Sequence, residues 1–283
     1  MEASATSSIT RRFIKNAFAG IRQNVTNHWV AGGSEAVSFA PNLHGANAAF
    51  EVQSFWFRQR NRVFYDLLKR FEMQAPLLDV GGGTGIVGRY LIDRGFAAVN
   101  LEPTPQGAQI SIARDVPTIS STLQNCGVRP GSISSIGMFD VLEHIEDEAE
   151  ALRLAAEALA PGGRMIIAVP AHSWLWSLED YTAGHYRRYN RGRLRSAMER
   201  SGLRPLYVTH LFSYLVPPLF ALRSVPTLWG KVGSRDREEK QDMHVPQGAT
   251  ASIVERLGDM ERRYIDQGRS LPFGTSVIGI AVK

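Results

Sequence analysis

The stretch Leu77-Leu-Asp-Val-Gly-Gly-Gly-Thr-Gly85 constrains this chain more than any other. Apolar residues around a single acid read as a short buried strand, and four glycines within residues 81–85 turn the chain sharply after it. Glycine suits such a turn because it takes positive φ at little cost and has no side chain to hold a ligand away. An apolar-periodic helix over residues 86–94 follows. The turn therefore lies at a helix N-terminus, where unpaired backbone N–H groups gather. A tight turn without a ligand is the bland alternative, and so many glycines after a buried strand argue against it.

Length and composition bound the rest. A chain of 283 residues holds one α/β domain with additions, or a domain with a small cap. With 44% hydrophobic and 21% charged residues it has the balance of an ordinary globular protein. The net charge of +5 admits nucleic acid, anionic lipid or an anionic small molecule as partner. Most basic residues alternate with acids, however, which is the pattern of a solvated surface. The single cysteine, Cys126, excludes an intramolecular disulfide and a cysteine-cluster zinc site, and it fits a cytoplasmic location. Residues 1–10 lack the apolar core of a secretory signal and read as a Ser/Thr-rich tail.

Hydrophobic periodicity places the elements. Residues 11–24 fit a short basic amphipathic helix carrying Phe13, Ile14, Phe18 and Ile21. Residues 27–53 are rich in Gly, Ala and Asn and read as an irregular cap. Residues 1–53 thus form a tail and cap ahead of a main domain over residues 54–283. A helix is expected over residues 54–71, where Phe57, Phe64, Leu67, Leu68 and Phe71 recur at helical spacing. Apolar runs over residues 97–101, 118–123, 133–139, 164–169, 203–211 and 276–282 read as strands. Helices over residues 107–115, 148–160 and 191–200 separate several of them. Pro161-Gly162-Gly163 reads as a helix stop and Asn190 as a helix cap. Strands alternating with helices predict a doubly wound α/β fold with a mostly parallel sheet. Residues 212–274 form an insertion before the last strand. Its apolar start, residues 212–229, carries Pro217, Pro218, Arg223 and Pro226, which argues against a membrane span. It reads as a cover over a substrate mouth, or as a weak contact with lipid or a membrane surface. Residues 231–242 read as charged and exposed, and residues 250–267 as an amphipathic helix.

Two ligand classes compete for the glycine turn. Gly83-x-Gly85-x-x-Gly88 satisfies the dinucleotide fingerprint, and Glu102 lies near the offset of the acid that holds a ribose. The frame Asp79-x-Gly81-x-Gly83-x-Gly85 resembles instead the first motif of class I S-adenosylmethionine-dependent methyltransferases. Two further segments carry that resemblance: Asp140-Val-Leu-Glu-His144, directly after a strand, and Leu159-Ala-Pro-Gly-Gly-Arg-Met-Ile-Ile-Ala-Val-Pro170. It extends over residues 54–202 and the final strand, and is nearest to ubiquinone-type and natural-product small-molecule enzymes. The dinucleotide frame has no counterpart to these two segments, so the methyltransferase frame is preferred.

The resemblance implies a Rossmann-like sheet of seven strands with the last antiparallel. It implies S-adenosylmethionine as cofactor and S-adenosylhomocysteine as its product. Asp79, Gly81, Gly83 and Gly85 would face the methionine part, and Glu102 and Pro103 the ribose. Where the family often has an acid for the adenine, this chain has Ser120-Ser-Thr-Leu-Gln124, so the backbone at Thr122 and Leu123, or Gln124, takes that task. Phe139 and Asp140 belong to the cofactor-lining segment after a strand. Arg58 or Arg62 is a candidate for the methionine carboxylate, since a guanidinium fork matches a carboxylate. Trp56, in the same aromatic stretch, is a candidate substrate contact.

Methyl transfer from a sulfonium is an in-line displacement. The protein orients the acceptor, excludes water and, for a hydroxyl, takes a proton. His144, after a strand, and His185, within residues 170–189, are the candidate bases, with Glu143 and Asp180 to orient them. Trp174, Trp176, Tyr181 and Tyr186 are further candidate substrate contacts. The histidines show no paired ligand spacing on one helix, so no metal site is expected. The run Arg187-Arg188-x-x-Arg191-x-Arg193-x-Arg195, with Tyr186 and Tyr189, invites a phosphate or RNA reading. No separate RNA-binding module accompanies it, so an anionic or glycosylated small molecule fits better, and packed arginine stems are the bland reading. The expected function is methylation of a small organic acceptor, on oxygen because histidine bases are at hand, with nitrogen and carbon acceptors open. The alternatives are an RNA methyltransferase, an NAD-dependent oxidoreductase and a non-catalytic binding scaffold.

Overall fold

The computed structural model describes residues 2–31, 48, 51–221 and 248–283. Helix α1 (Glu2–Ala17) leads into a hairpin of β1 (Arg22–Val25) and β2 (His28–Val30). Then come α2 (Phe55–Arg70), β3 (Leu77–Val80), α3 (Ile86–Ile92) and β4 (Ala98–Leu101). They are followed by α4 (Pro105–Ala113), β5 (Thr118–Ser120), β6 (Ile133–Phe139), α5 (Glu148–Ala158) and β7 (Leu159–Pro170). The chain continues through α6 (Leu178–Ala183), α7 (Arg191–Arg200), β8 (Arg204–Leu211) and the single turn α8 (Val216–Leu219). Helix α9 (Gly248–Asp266) and β9 (Ser276–Val282) complete the described elements.

One nine-stranded sheet runs in the order β1-β2-β5-β4-β3-β6-β7-β9-β8. The seven strands from β5 to β8 are the expected core. Strands β3 to β7 pair in parallel, and β9 is antiparallel to both its neighbours. The glycine turn leaves β3 at the centre, where all four strand residues are buried. Ile166 and Ile167 on β7 face opposite sides of the sheet, as the strand period of two requires. On one side Ile167 joins Ile14, Phe18, Leu152, Leu194 and Met198 from α1, its exit, α5 and α7. On the other Ile166 joins Phe64, Leu67, Leu68, Leu91 and Ile265 from α2, α3 and α9.

The N-terminal segment departs from expectation. The helix expected over residues 11–24 spans Glu2–Ala17, and residues 22–25 form β1. Gly20, at φ 68°, turns the chain between them. The start of the expected irregular cap is β2, which extends the sheet edge by pairing in parallel with β5 through His28↔Thr118, Trp29↔Ile119 and Val30↔Ser120. Three residues are too few to show a period, so only the burial of Trp29 makes this strand pay. Residues 32–47 of that cap lie outside the described residues.

The later loops also gain structure. Pro161-Gly162-Gly163, expected to end a helix, lies within β7, which already pairs with β6 at Leu159. The stretch expected as a loop over residues 170–189 contains α6, closed by a capping box between Ser177 and Asp180. In the insertion, Phe212 takes φ 61°, and its N–H and that of Ser213 donate to Glu261 on α9. The expected charged stretch over residues 231–242, and the apolar one beyond residue 221, lie outside the described residues. No described helix is long and apolar enough to cross a membrane.

Candidate active site

The carboxyl ends of β3, β4, β5 and β6 open into one cavity of about 940 Å³. Its floor is the glycine turn. Gly81, Gly83 and Gly85 have φ of 69°, 54° and 73°, where a side chain is strained. Gly82 is required by space: a Cβ there would lie 2.5 Å from Asn100 Oδ1 and 2.6 Å from Asp79 Oδ2. Gly85 does not line the cavity; it lets α3 pack against Ser111 of α4, whose Oγ would stand 2.4 Å from a Cβ.

Two carboxylates flank the turn. Asp79 is fully buried, and neither of its oxygens has a hydrogen-bond partner among the described residues. Burial pushes its carboxyl up to about 7, with Arg60 opposing the rise and Glu102 adding to it. Glu102 is pinned by the backbone N–H groups of Gly83 (2.9 Å) and Thr104 (2.7 Å) and by the Thr104 hydroxyl. Asn100 Nδ2 donates to the Gly83 carbonyl at 3.1 Å and to Ser111 Oγ at 2.9 Å, tying the turn to β4 and α4. Pro103, Thr122, Leu123, Gln124, Phe139 and Asp140 continue the wall. Phe139 is stacked on Phe64 of α2 at 4.4 Å, which carries α2 over the cavity.

The arginine of α2 that reaches the cavity is Arg60, and this corrects the expectation for Arg58 and Arg62. On a helix, residues two apart face different sides. Arg58 faces Glu255 at 3.3 Å and Arg62 faces Asp259 at 3.5 Å, both on α9 and both about half exposed. Arg60 is buried, pairs with Asp140, and has its guanidinium 4.5 Å from the Trp56 ring and 4.8 Å from Phe57. Sequence reasoning also missed Glu51. It lines the cavity and holds Thr84 Oγ1 (2.6 Å) and Arg114 (2.9 Å), bracing the turn from the N-terminal side.

Opposite the cofactor turn stands a cluster of ionisable groups. A 3-10 turn, Leu142–His144, places Glu143 and His144 after β6, and α6 delivers His185 just beyond its end. The two imidazoles are 4.6 Å apart, edge to face. His185 Nδ1 lies 2.7 Å from Asp180, whose carboxylate also takes a bidentate contact from Arg188 at 2.7 and 2.8 Å. Burial would raise Asp180, but the bonds from His185 and Arg188 outweigh it and hold the carboxyl well below the usual range. His144 is pushed down to about 4 by burial and by the neighbouring His185, against a backbone contact with Ala183. Its ring is therefore neutral at pH 7.

Of the expected substrate contacts, Trp56 and Tyr186 line the cavity. Trp174, Trp176 and Tyr181 do not: Trp174 and Tyr181 are exposed, Trp174 stacks on His172 at 5.2 Å, and Trp176 meets Tyr181 at 5.5 Å. Leu175, between the two tryptophans, faces in with Leu215 and Leu219. The arginine run is engaged internally. Arg187 donates to the carbonyls of Ile145 and Glu146, Arg188 to Asp180, and Arg193 approaches Glu148.

This geometry has relatives. The sequence matches the family described as "Methyltransferase domain" over residues 51–208, more than half of the chain. The chain belongs to this family of S-adenosylmethionine-dependent methyltransferases, and it is an enzyme of that class. Its fold matches a chain of the Haloferax volcanii complex between the Trm112 methyltransferase activator and a methyltransferase. That match has 16% identity and a TM-score of 0.52, and covers 86% of this chain and 96% of that one. A sarcosine dimethylglycine methyltransferase of Galdieria sulphuraria matches at 16% identity and a TM-score of 0.51, over 81% of this chain and 85% of that one. Phosphoethanolamine N-methyltransferase 2 of Haemonchus contortus, solved with S-adenosyl-L-methionine, matches at 15% and 0.50, over 79% of this chain and 52% of that one. No curated protein matches the sequence.

The cofactor is S-adenosylmethionine, which supplies an activated methyl group on a positively charged sulfur. The residues fit it. A glycine cradle with no room for a Cβ at Gly82 and an unpartnered buried carboxylate at Asp79 suit a close-lying cationic ligand.

Proposed function

We propose that this enzyme methylates a hydroxyl group of a small hydrophobic acceptor. One observation carries the reading: His185, held from behind by Asp180 and with His144 beside it, lines the same cavity as the glycine turn. Asp180 accepts from His185 Nδ1, which fixes the ring and leaves Nε2 to take a proton. Trp56, Phe57, Leu175, Leu215 and Leu219 supply an apolar wall that grips the acceptor and excludes water. With Asp79, Gly81, Gly83, Glu102, Pro103, Thr122, Leu123, Phe139 and Asp140 on the cofactor side, Arg60 takes the place first considered for Arg58 or Arg62. The anionic or glycosylated acceptor finds less support, since Arg187, Arg188 and Arg193 already have partners.

A second reading, N-methylation, is favoured by the acids Glu146, Asp147 and Glu150 on the cavity wall, whose field draws an ammonium group. Incubation with methyl-labelled S-adenosylmethionine and matched panels of apolar phenols, alcohols and amines separates the two. Label on hydroxyl compounds alone supports the first reading. Label confined to amines would sink it.

A further inference from the structure

We infer that Glu143, His144 and His185 bind one divalent transition-metal ion of the Zn²⁺, Mn²⁺, Fe²⁺ or Co²⁺ class, on the acceptor side of the cavity. One ligand atom from each residue lies within 4.8 Å of the other two. Around an ion at about 2.1 Å, ligand atoms stand roughly 3.0–3.5 Å apart, so the widest pair must close by up to roughly 1.3–1.8 Å. Glu143 is 1% exposed, and its Oε2 has no hydrogen-bond partner among the described residues. A buried carboxylate oxygen left in this state is costly, and a cation relieves the cost.

The chemistry of the set selects the ion. Two imidazoles and a carboxylate suit borderline transition ions, whereas Mg²⁺ and Ca²⁺ prefer oxygen alone. The support behind the ligands has the form such sites need. A ligating histidine is typically held by a carboxylate or carbonyl on its other nitrogen. Here Asp180 holds His185 Nδ1 at 2.7 Å, and the Ala183 backbone holds the His144 ring.

The local charges point the same way. The carboxylates facing the cluster are Asp140, Glu143 and Asp180, and the guanidiniums are Arg60 and Arg188. Arg60 pairs with Asp140 and Arg188 with Asp180, and Glu143 forms no ion pair among the described residues. The sequence hid the site because His144 and His185 come from separate elements joined only by the fold.

The purpose of the ion rests on the O-methylation reading, while its binding does not. With an ion in place, His185 Nε2 is a ligand, and an acceptor hydroxyl drawn to the ion loses its proton to solvent at lower pH. The test uses the full chain, stripped with a chelator, dialysed, and titrated with Co²⁺ in the absence of cofactor and acceptor. Visible d–d bands should saturate at one equivalent and be displaced by Zn²⁺. Glu143→Gln and His185→Ala should abolish them, and Asp180→Asn should weaken binding about 10- to 100-fold. His172→Ala, in the histidine pair formed with His210, should leave them unchanged. The absence of bands in the wild type, or their persistence in both ligand variants, overturns the site. A melting shift with S-adenosylhomocysteine reports that each variant is folded; should His185→Ala fail it, Glu143→Gln and Asp180→Asn decide. Cobalt binding with methylation confined to amines retains the site and removes the O-methyl reading. Methylation of hydroxyls by a chain that binds no cobalt does the reverse.

Discussion

The two halves of the cavity are built by different means. The cofactor half is made of backbone: three left-handed glycines, a turn pinned by Glu102 and Asn100, and a floor with no room for one more carbon at Gly82. The acceptor half is made of side chains: Glu143, His144, Asp180, His185 and Arg188, delivered by a 3-10 turn, a short helix and the chain after it. A backbone site is tied to local sequence and tolerates little change. A side-chain site is assembled by tertiary contacts, and each member is replaceable in a way that alters chemistry without altering the cradle.

The largest effect should come from the acceptor half. His185→Ala should cut methyl transfer by about 10²–10⁴-fold, the usual contribution of a positioned proton acceptor. Binding of S-adenosylhomocysteine by calorimetry should stay within error; a lost cofactor site would break the division into halves. Arg60→Met tests the seam between them. Removing one partner of a buried pair costs about 3–5 kcal/mol, and with the Asp140 side chain 28% exposed the loss should fall below that range. Denaturant titration reads that loss.

Gly82→Ala tests the cradle directly. Overpacking of this kind costs about 1–3 kcal/mol, and cofactor affinity should fall with it while the Asp180–His185 pair is untouched. An unchanged dissociation constant would mean that the turn can yield. The two halves should also answer pH in opposite directions. Asp79, raised from 3.8 to about 7, favours the folded state at low pH, and that contribution is lost as pH rises through about 7. His144, lowered from 6.5 to about 4, contributes stability above 6.5 that is lost as pH falls through about 4. Asp79→Asn should abolish the decline between about pH 4 and 7, and His144→Gln should lessen the opposing loss as pH falls through about 4, both read by denaturant midpoints across pH. The smallest effect belongs to Arg58→Ala and Arg62→Ala, each within about 1 kcal/mol, because exposed ion pairs contribute little. A large loss of cofactor binding in either would restore them to the site.

The same division explains what the sequence disclosed. That Asp79, Gly81, Gly83 and Glu102 line one cavity was legible because a glycine turn after a buried strand is a contiguous signal. Arg60 was hidden among three arginines spaced by two, whose facing depends on the phase of α2. Trp174 and Trp176 looked like substrate contacts because the 3-10 turn Ser173–Leu175, which sends Leu175 rather than either tryptophan to the cavity, has too few residues to show a period. The meeting of His144 with His185 required the packing of two separate elements. The doubly wound core followed from alternating strands and helices, whereas β2 escaped because three residues carry no pattern.

That small strand bears on how the chain is made. His28 on β2 bonds Ser120 across 92 positions of sequence. Residues 28–30 are therefore synthesised long before the strand that receives them, and must wait while the intervening chain emerges. Non-local pairing of this kind forms slowly and leaves an open sheet edge meanwhile. In the folded chain the N-terminal segment covers the edge of β5, which would otherwise be open to pairing with another copy.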